Sequence, residues 1–276
     1  MGLVWTGLAV ACGQGEGSLL EPHGAGTGGD GTAASGTGAA PHGTGGDLGL
    51  AVGGQGQGGG IPSGNGFCGS DLTGTLRDFT TAHPDFEYAI AVDPGLVAPT
   101  LGADGRPTYA GGPDGTITTH GPGYFAEWFH DVPGVNVALP FTLTLAEGAG
   151  DVRTYDNSAF FPLDGQGFGD EGNAHNYHFT FELHTKFLYQ GGEIFRFTGD
   201  DDLFTFINGR LAIDLGGVHG AMSSEVDLDA SAAALGLAAG EIYTLDVFFA
   251  ERHTTESNFR IDTTLAFVDC GGGEVH

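Results

Sequence analysis

Three carboxylates stand side by side in the run Gly199-Asp200-Asp201-Asp202. The run lies between two aromatic-rich stretches with strand character, Ile194 to Thr198 and Leu203 to Ile207. Adjacent anions in a tight loop repel one another unless a cation lies among them. Hard oxygen donors suit Ca2+, which accepts roughly six to eight oxygens in irregular geometry, whereas Mg2+ demands a stricter octahedron. A solvated acidic turn is the alternative reading. A second polar segment, Glu251-Arg252-His253-Thr254-Thr255-Glu256-Ser257-Asn258, joins the last two strong strands. In a sandwich such a loop can lie beside another loop at the same end, where an Asn side chain and carbonyls would complete an oxygen shell. His175, His178 and His184 are weaker metal candidates. His178 and His184 are six residues apart, about 20 Å of extended chain, too far for one ion. They read as solvated surface histidines. No G-x-S-x-G, H-E-x-x-H, C-x-x-C or phosphate-loop motif is present. Among 35 acids no glycosidase pair stands out, so the expectation is a protein that is not an enzyme.

These groups need elements to hold them. From Phe67-Cys68 to Cys270 the chain is aromatic-rich and alternates with a period of two. Tyr177, Phe179, Phe181 and Leu183 share one strand face, with His178, Thr180, Glu182 and His184 on the other. Val137, Leu139, Phe141, Leu143 and Leu145 repeat the pattern, and Pro140 suggests an edge. Phe259, Ile261, Thr263, Leu265 and Phe267 repeat it again as one strand. Leu203 to Ile207, then Asn208-Gly209, then Arg210 to Asp214 predicts a hairpin. Ile242 to Ala250 reads as a buried strand. Helical periodicity is scarce, with one short turn expected over Ser231 to Leu237. The fold class is all-β: an antiparallel β-sandwich with long loops between strands, preceded by a Gly-rich flexible segment.

The organisation read from composition is a lipoprotein-type signal at 1–12, a Gly-rich low-complexity tether at 13–66, the sandwich domain at 67–271 and a tail at 272–276. Glycine makes up 53 of 276 residues, against a typical share of roughly 7%. Leu8-Ala9-Val10-Ala11-Cys12 is similar to a lipoprotein cleavage box, which makes Cys12 the expected lipidation site. Cys68 and Cys270 then remain, one before the first strand and one after the last, and are expected to form a disulfide in an oxidising compartment. A net charge of −27 excludes an electrostatic nucleic-acid binder. No apolar run is long enough for a transmembrane helix.

Several ordered motifs carry a family resemblance. They include His83-Pro84-Asp85-Phe86-Glu87, Glu127-Trp128-Phe129-His130-Asp131-Val132-Pro133-Gly134-Val135-Asn136, and Phe160-Phe161-Pro162-Leu163 followed by Gly167-Phe168-Gly169. Further on stand Phe197-Thr198-Gly199-Asp200-Asp201-Asp202, Phe206-Ile207-Asn208-Gly209, Leu215-Gly216-Gly217-Val218-His219, and Phe249-Ala250-Glu251-Arg252-His253 with Ser257-Asn258-Phe259. Together they resemble the fibro-slime domain, which is similar in turn to the anthrax protective-antigen-type lectin domain. In sugar-binding members of that group two adjacent Asp residues joined by a cis peptide hold Ca2+. An Asn and carbonyls from a later loop complete the shell, and sugar hydroxyls bind the ion. The resemblance therefore implies Asp200, Asp201 and Asn258 as metal ligands, with Asp201 and Asp202 as the alternative pair. It implies Asp202, Asp214, His219, Arg252 and His253 as residues that line or support the site, although Arg252 could instead pair with a carboxylate. The expected function is a secreted or surface-tethered Ca2+-dependent carbohydrate-binding adhesion module. Its partners would be glycans or extracellular matrix components. The alternative is a matrix or filament subunit that self-assembles and uses Ca2+ only structurally.

Overall fold

The computed structural model describes residues 69–271. The tail and the expectations placed on Cys12, the Gly-rich segment and Cys68 lie outside them. In chain order the elements are β1 (Asp71–Asp78), β2 (Ala91–Val92), α1 (Pro122–Glu127), β3 (Val137–Thr144), β4 (Ala146–Glu147) and β5 (Arg153–Asn157). Then come β6 (Phe179–Leu188), β7 (Ile194–Asp200), β8 (Asp202–Ile207), β9 (Arg210–Leu215), β10 (Gly217–Val218) and β11 (Met222–Asp227). The last are α2 (Leu228–Leu235), β12 (Ile242–Glu251), β13 (Asn258–Thr263) and β14 (Ala266–Asp269).

Two antiparallel sheets face each other. One runs β3-β1-β6-β12-β8-β9, with β14 also paired to β6; the other runs β11-β7-β13-β5-β4. Inward residues from both fill the core between them: Phe179, Phe181, Leu183, Phe195, Phe197, Val247, Phe249, Phe259 and Ile261. This is the sandwich the alternation predicts. Pro140 lies on edge strand β3, where its missing N–H costs no ladder bond. The β8–β9 hairpin turns at Asn208 and Gly209, whose φ angles of 52° and 67° suit the tight turn that this dipeptide favours.

The period-two pattern from Phe259 to Phe267 is not one strand. It breaks at Thr264-Leu265: β13 pairs with β7 in one sheet, whereas β14 pairs with β6 in the other. Alternation survives because both pieces point into the same core from opposite sides.

A second core covers the outer face of the larger sheet. Residues 79–136 fold over it and pack Leu96, Val97, Phe125, Trp128 and Phe129 against Phe204, Phe206, Phe248 and Ala250. Strands β8 and β12 are therefore buried on both faces, which explains their nearly unbroken apolar runs. The same cover corrects the expectation for the polar face of β6. Its Thr180 Oγ1 donates to the Trp128 carbonyl (2.6 Å), and Glu182 binds Arg77 (2.5 Å) and Arg106 (3.1 Å). His178 is buried rather than solvated, with its ring nitrogens 2.9 Å from Glu171 and 3.1 Å from Glu87. His175 and His184 stay partly exposed. The expected helical turn is α2, which starts earlier than its apolar pattern because Asp227 caps it by accepting from the Ala230 N–H at 2.9 Å.

Candidate metal and ligand site

Asp200 ends β7, Asp202 begins β8, and Asp201 stands between them. The Asp200–Asp201 peptide is cis, so the cis bond falls in the first of the two candidate pairs. All three side chains are buried, and each finds its own partners. Asp200 accepts from the Asn258 N–H at 2.5 Å and from its Nδ2 at 2.8 Å, because β13 places Asn258 directly opposite Asp200. Asp201 accepts from the backbone N–H groups of His219 (3.0 Å) and Arg252 (3.1 Å). Asp202 accepts from the Gly217 N–H and from Arg252 Nε, both at 2.6 Å. Burial, reinforced by Asp202 and opposed by Arg252, pushes the Asp201 carboxyl up to about 7.

Arg252 is the cation that relieves part of this crowding. It is fully buried with Asp202, donates from Nη1 to the carbonyls of Asp85 (3.0 Å) and Thr118 (2.7 Å), and lies 4.6 Å from the Trp128 ring centroid. Asp85 in turn accepts from Trp128 Nε1 (3.1 Å) and the His120 N–H (2.7 Å). This network ties the cover layer to the acidic turn from beneath.

Above it opens a cleft of about 150 Å³, walled by Ile90, Val218 to Gly220 and His253 to Glu256, with Asp200 and Asp201 among its lining residues. The geometry sorts the expected site residues. Asp200, Asp201, His219 and His253 line the cleft, and Asn258 binds Asp200 beside it. Asp202 and Arg252 do not line it: they are spent on each other below, the ion pair left open as an alternative for Arg252. Asp214 does not line it either; its carboxylate accepts from the Gly95 (2.7 Å) and Gly216 (3.2 Å) N–H groups and braces a turn.

Two residues singled out by no chemistry in the sequence matter here. Glu87 clamps the 252–254 turn. Its N–H donates to the Arg252 carbonyl (2.8 Å), and its carboxylate accepts from the Thr254 N–H (2.8 Å) while facing His178 and His253. Burial works against the Glu87 carboxylate, but the bonds from Thr254 and His178 outweigh it and hold its carboxyl below the usual range. Glu251 is fully buried, and its Oε2 has no hydrogen-bond partner. Burial, then the charges of Asp201 and Asp200, push its carboxyl well above the ordinary value. No signal in the sequence separates Glu251 from the other acids, because its role follows from the depth of β12.

No group of three or more His, Cys, Asp or Glu side chains among the described residues is set up to hold a metal. An ion at Asp200 and Asp201 would need other oxygens. Asn258 has its amide nitrogen committed to Asp200, so its oxygen is the atom left to approach an ion. The donor set fits a hard cation: two buried carboxylates open to a cleft, a third carboxyl with one unpaired oxygen close enough for its charge to be felt by them, and the nearest guanidinium engaged with Asp202.

Residues 163–276 match the family model of the PA14 domain. The PA14 match begins just before β6 and takes in Asp200, Asp201 and Asn258. It leaves out β1 to β5 and the cover layer that brings Glu87. Protein psiR of Dictyostelium discoideum is 42% identical over 214 residues, 71% of this chain and 21% of that protein. Protein psiD of the same organism is 41% identical over 212 residues, 71% of this chain and 41% of that protein. The chain thus spans well under half the length of these relatives. A solved structure described as a PA14 sugar-binding domain from an RTX adhesin is 12% identical, with a TM-score of 0.31, covering 72% of this chain and 96% of that chain. At that score the likeness carries no argument.

Proposed function

We propose that this protein is a Ca2+-dependent carbohydrate-binding adhesion module acting outside the cell or at its surface, and not an enzyme. The observation that carries the reading is the pair of buried carboxylates, Asp200 and Asp201, opening onto a cleft walled by the His219 and His253 turns. Asp200, Asp201, the Asn258 oxygen and loop carbonyls would hold the ion. Ca2+ tolerates such a mixed oxygen shell, and coordination positions facing the cleft would accept sugar hydroxyls. The fibro-slime resemblance and the PA14 match support the same reading. Among the described residues no helix is long and apolar enough to cross a membrane.

Calorimetry and thermal melting on metal-stripped protein test the reading. Ca2+ should bind and raise the melting temperature, with a gain of about 2.7 kcal/mol at 100 times the dissociation constant. Asp201→Asn removes a charge, so Ca2+ affinity should fall; its amide nitrogen would face the His219 or Arg252 N–H, so the metal-free protein should melt somewhat lower but still fold. Asp151→Asn, in the exposed β4–β5 turn at the far end of the sheet, should change neither. Glycan-array binding should disappear in EDTA. Ca2+ binding without any glycan signal would favour the structural-subunit alternative, and no Ca2+ binding at all would reduce the acidic turn to a structural knot around Arg252.

A further inference from the structure

Among the described residues seven large hydrophobic side chains are exposed, and five of them lie between residues 88 and 124. Three occupy alternate positions running into β2: Tyr88, Ile90 and Val92, at 46%, 68% and 56% exposure. Together they form an exposed apolar ridge at the entry to β2. The ridge does not stand alone. Ile90 belongs to the wall of the Asp200–Asp201 cleft, and β2 holds the ridge in place by pairing Ala91 with Val218 and Val92 with Gly217.

Tyr88 packs against the layer beneath this ridge. Its ring centroid lies 4.1 Å from that of His120. His120 is bonded through its N–H (2.7 Å) and Nδ1 (2.9 Å) to Asp85, which the Arg252–Trp128 network anchors. The residue before it, Glu87, binds the cleft-lining Thr254. A hydrogen-bonded scaffold therefore backs an exposed aromatic ring two residues from the cleft-lining Ile90. Tyr124 adds a second exposed ring, 6.2 Å from His120.

We propose that Tyr88 and Ile90 form a shelf that takes a second sugar ring, so that the site reads a neutral oligosaccharide rather than a single sugar. This deepens the carbohydrate reading above and rests on it. A pyranose has a polyhydroxyl edge and an apolar C–H face. The cleft suits the first and the shelf suits the second, with burial of apolar area as the driving force. Tyr88 and Ile90 are two residues apart, at most about 7 Å of chain, a span of the same order as one sugar ring. The charge of −27 and the carboxylates of the cleft disfavour acidic glycans.

The test is titration calorimetry in saturating Ca2+ with two probe sets. One holds the methyl glycosides of glucose, galactose, mannose, fucose and N-acetylglucosamine; the other holds disaccharides ending in the same units. For the unit that binds, wild type should prefer the disaccharide. Tyr88→Ala should weaken disaccharide binding roughly three- to tenfold and leave the methyl glycoside and Ca2+ affinities unchanged, while Tyr88→Phe keeps the preference. Equal effects of Tyr88→Ala on both probe sets, or none on either, would overturn the shelf and leave the carbohydrate reading intact. Ca2+ binding with no affinity for any probe would remove the carbohydrate reading and the shelf with it. A wild-type dimer that becomes monomeric in Tyr88→Ala would assign the ridge to a second copy of the chain and also overturn the proposal.

Discussion

At the scale of single residues the acidic turn works by division of labour. Asp202 is neutralised from below by Arg252, which frees Asp200 and Asp201 to face the cleft. Breaking a buried pair leaves an uncompensated charge, so Arg252→Met should destabilise the fold by about 3–5 kcal/mol in urea denaturation. The double variant with Asp202→Leu should recover much of that loss, since it removes both charges together. Arg252→Lys should not rescue, because one ammonium cannot reach Asp202 and the carbonyls of Asp85 and Thr118 in the same fork geometry. A second residue-scale effect is set by His184, whose ring nitrogens lie 2.7 Å from Asp246 and 2.8 Å from Glu182. Burial disfavours its charge, but the two carboxylates outweigh burial and push it up to about 9. A histidine raised above its unfolded value of about 6.5 contributes fully below that pH and loses the contribution as pH rises through 9. Stability measured at pH 6 and pH 9.5 should therefore fall more in wild type than in His184→Gln.

At the scale of elements the site depends on short pieces that only the fold brings together. The β2–β10 pair carries one wall of the cleft, and Gly217 makes it possible. Its φ is 109°, and an added Cβ would meet the Ala91 carbonyl oxygen at 2.2 Å. Gly217→Ala should cost at least about 1–3 kcal/mol and weaken Ca2+ binding, because it shifts the turn whose His219 N–H donates to Asp201. Gly220→Ala is the control: it lies at the cleft, has open space around its Cβ and should leave stability unchanged. The hairpin at Asn208-Gly209 was legible in the sequence because its turn chemistry is local. The break between β13 and β14 was not, because a period of two looks the same whether one strand continues or the chain changes sheets.

At the scale of the whole molecule the described chain ends meet. The Thr73 N–H donates to the Cys270 carbonyl at 2.9 Å, and Thr73 bridges Gly271 in parallel. Cys270 thus lies beside the start of β1, three residues after Cys68 in sequence. A Cys68–Cys270 disulfide is the expected clasp, and in the chain-entropy model so long a loop contributes roughly 5 kcal/mol before native strain is subtracted. Non-reducing peptide mapping should recover the Cys68–Cys270 pair from protein purified from its native compartment, and Cys68→Ser should lower the melting temperature. Two free thiols there would remove both the clasp and the argument for an oxidising compartment.

The sequence by itself determined the sandwich, the edge at Pro140, the hairpin and the acidic turn with its later loop. Each rests on local pattern: side-chain alternation, turn residues, or like charges placed next to one another. It also supplied Asp200, Asp201, His219 and His253 for the cleft. Only the tertiary structure decided that residues 79–136 form a second packed layer, and several corrections follow from that layer. It buries His178, orients Arg252 toward Asp202, brings Glu87 against Thr254 and leaves Tyr88 and Ile90 at the cleft's edge. Glu87 and Thr254 are 167 residues apart. Alternation tells which side chains point away from one face of a strand, but not whether water or more protein lies there. That depends on where a long connection returns, and short-range periodicity carries no record of it.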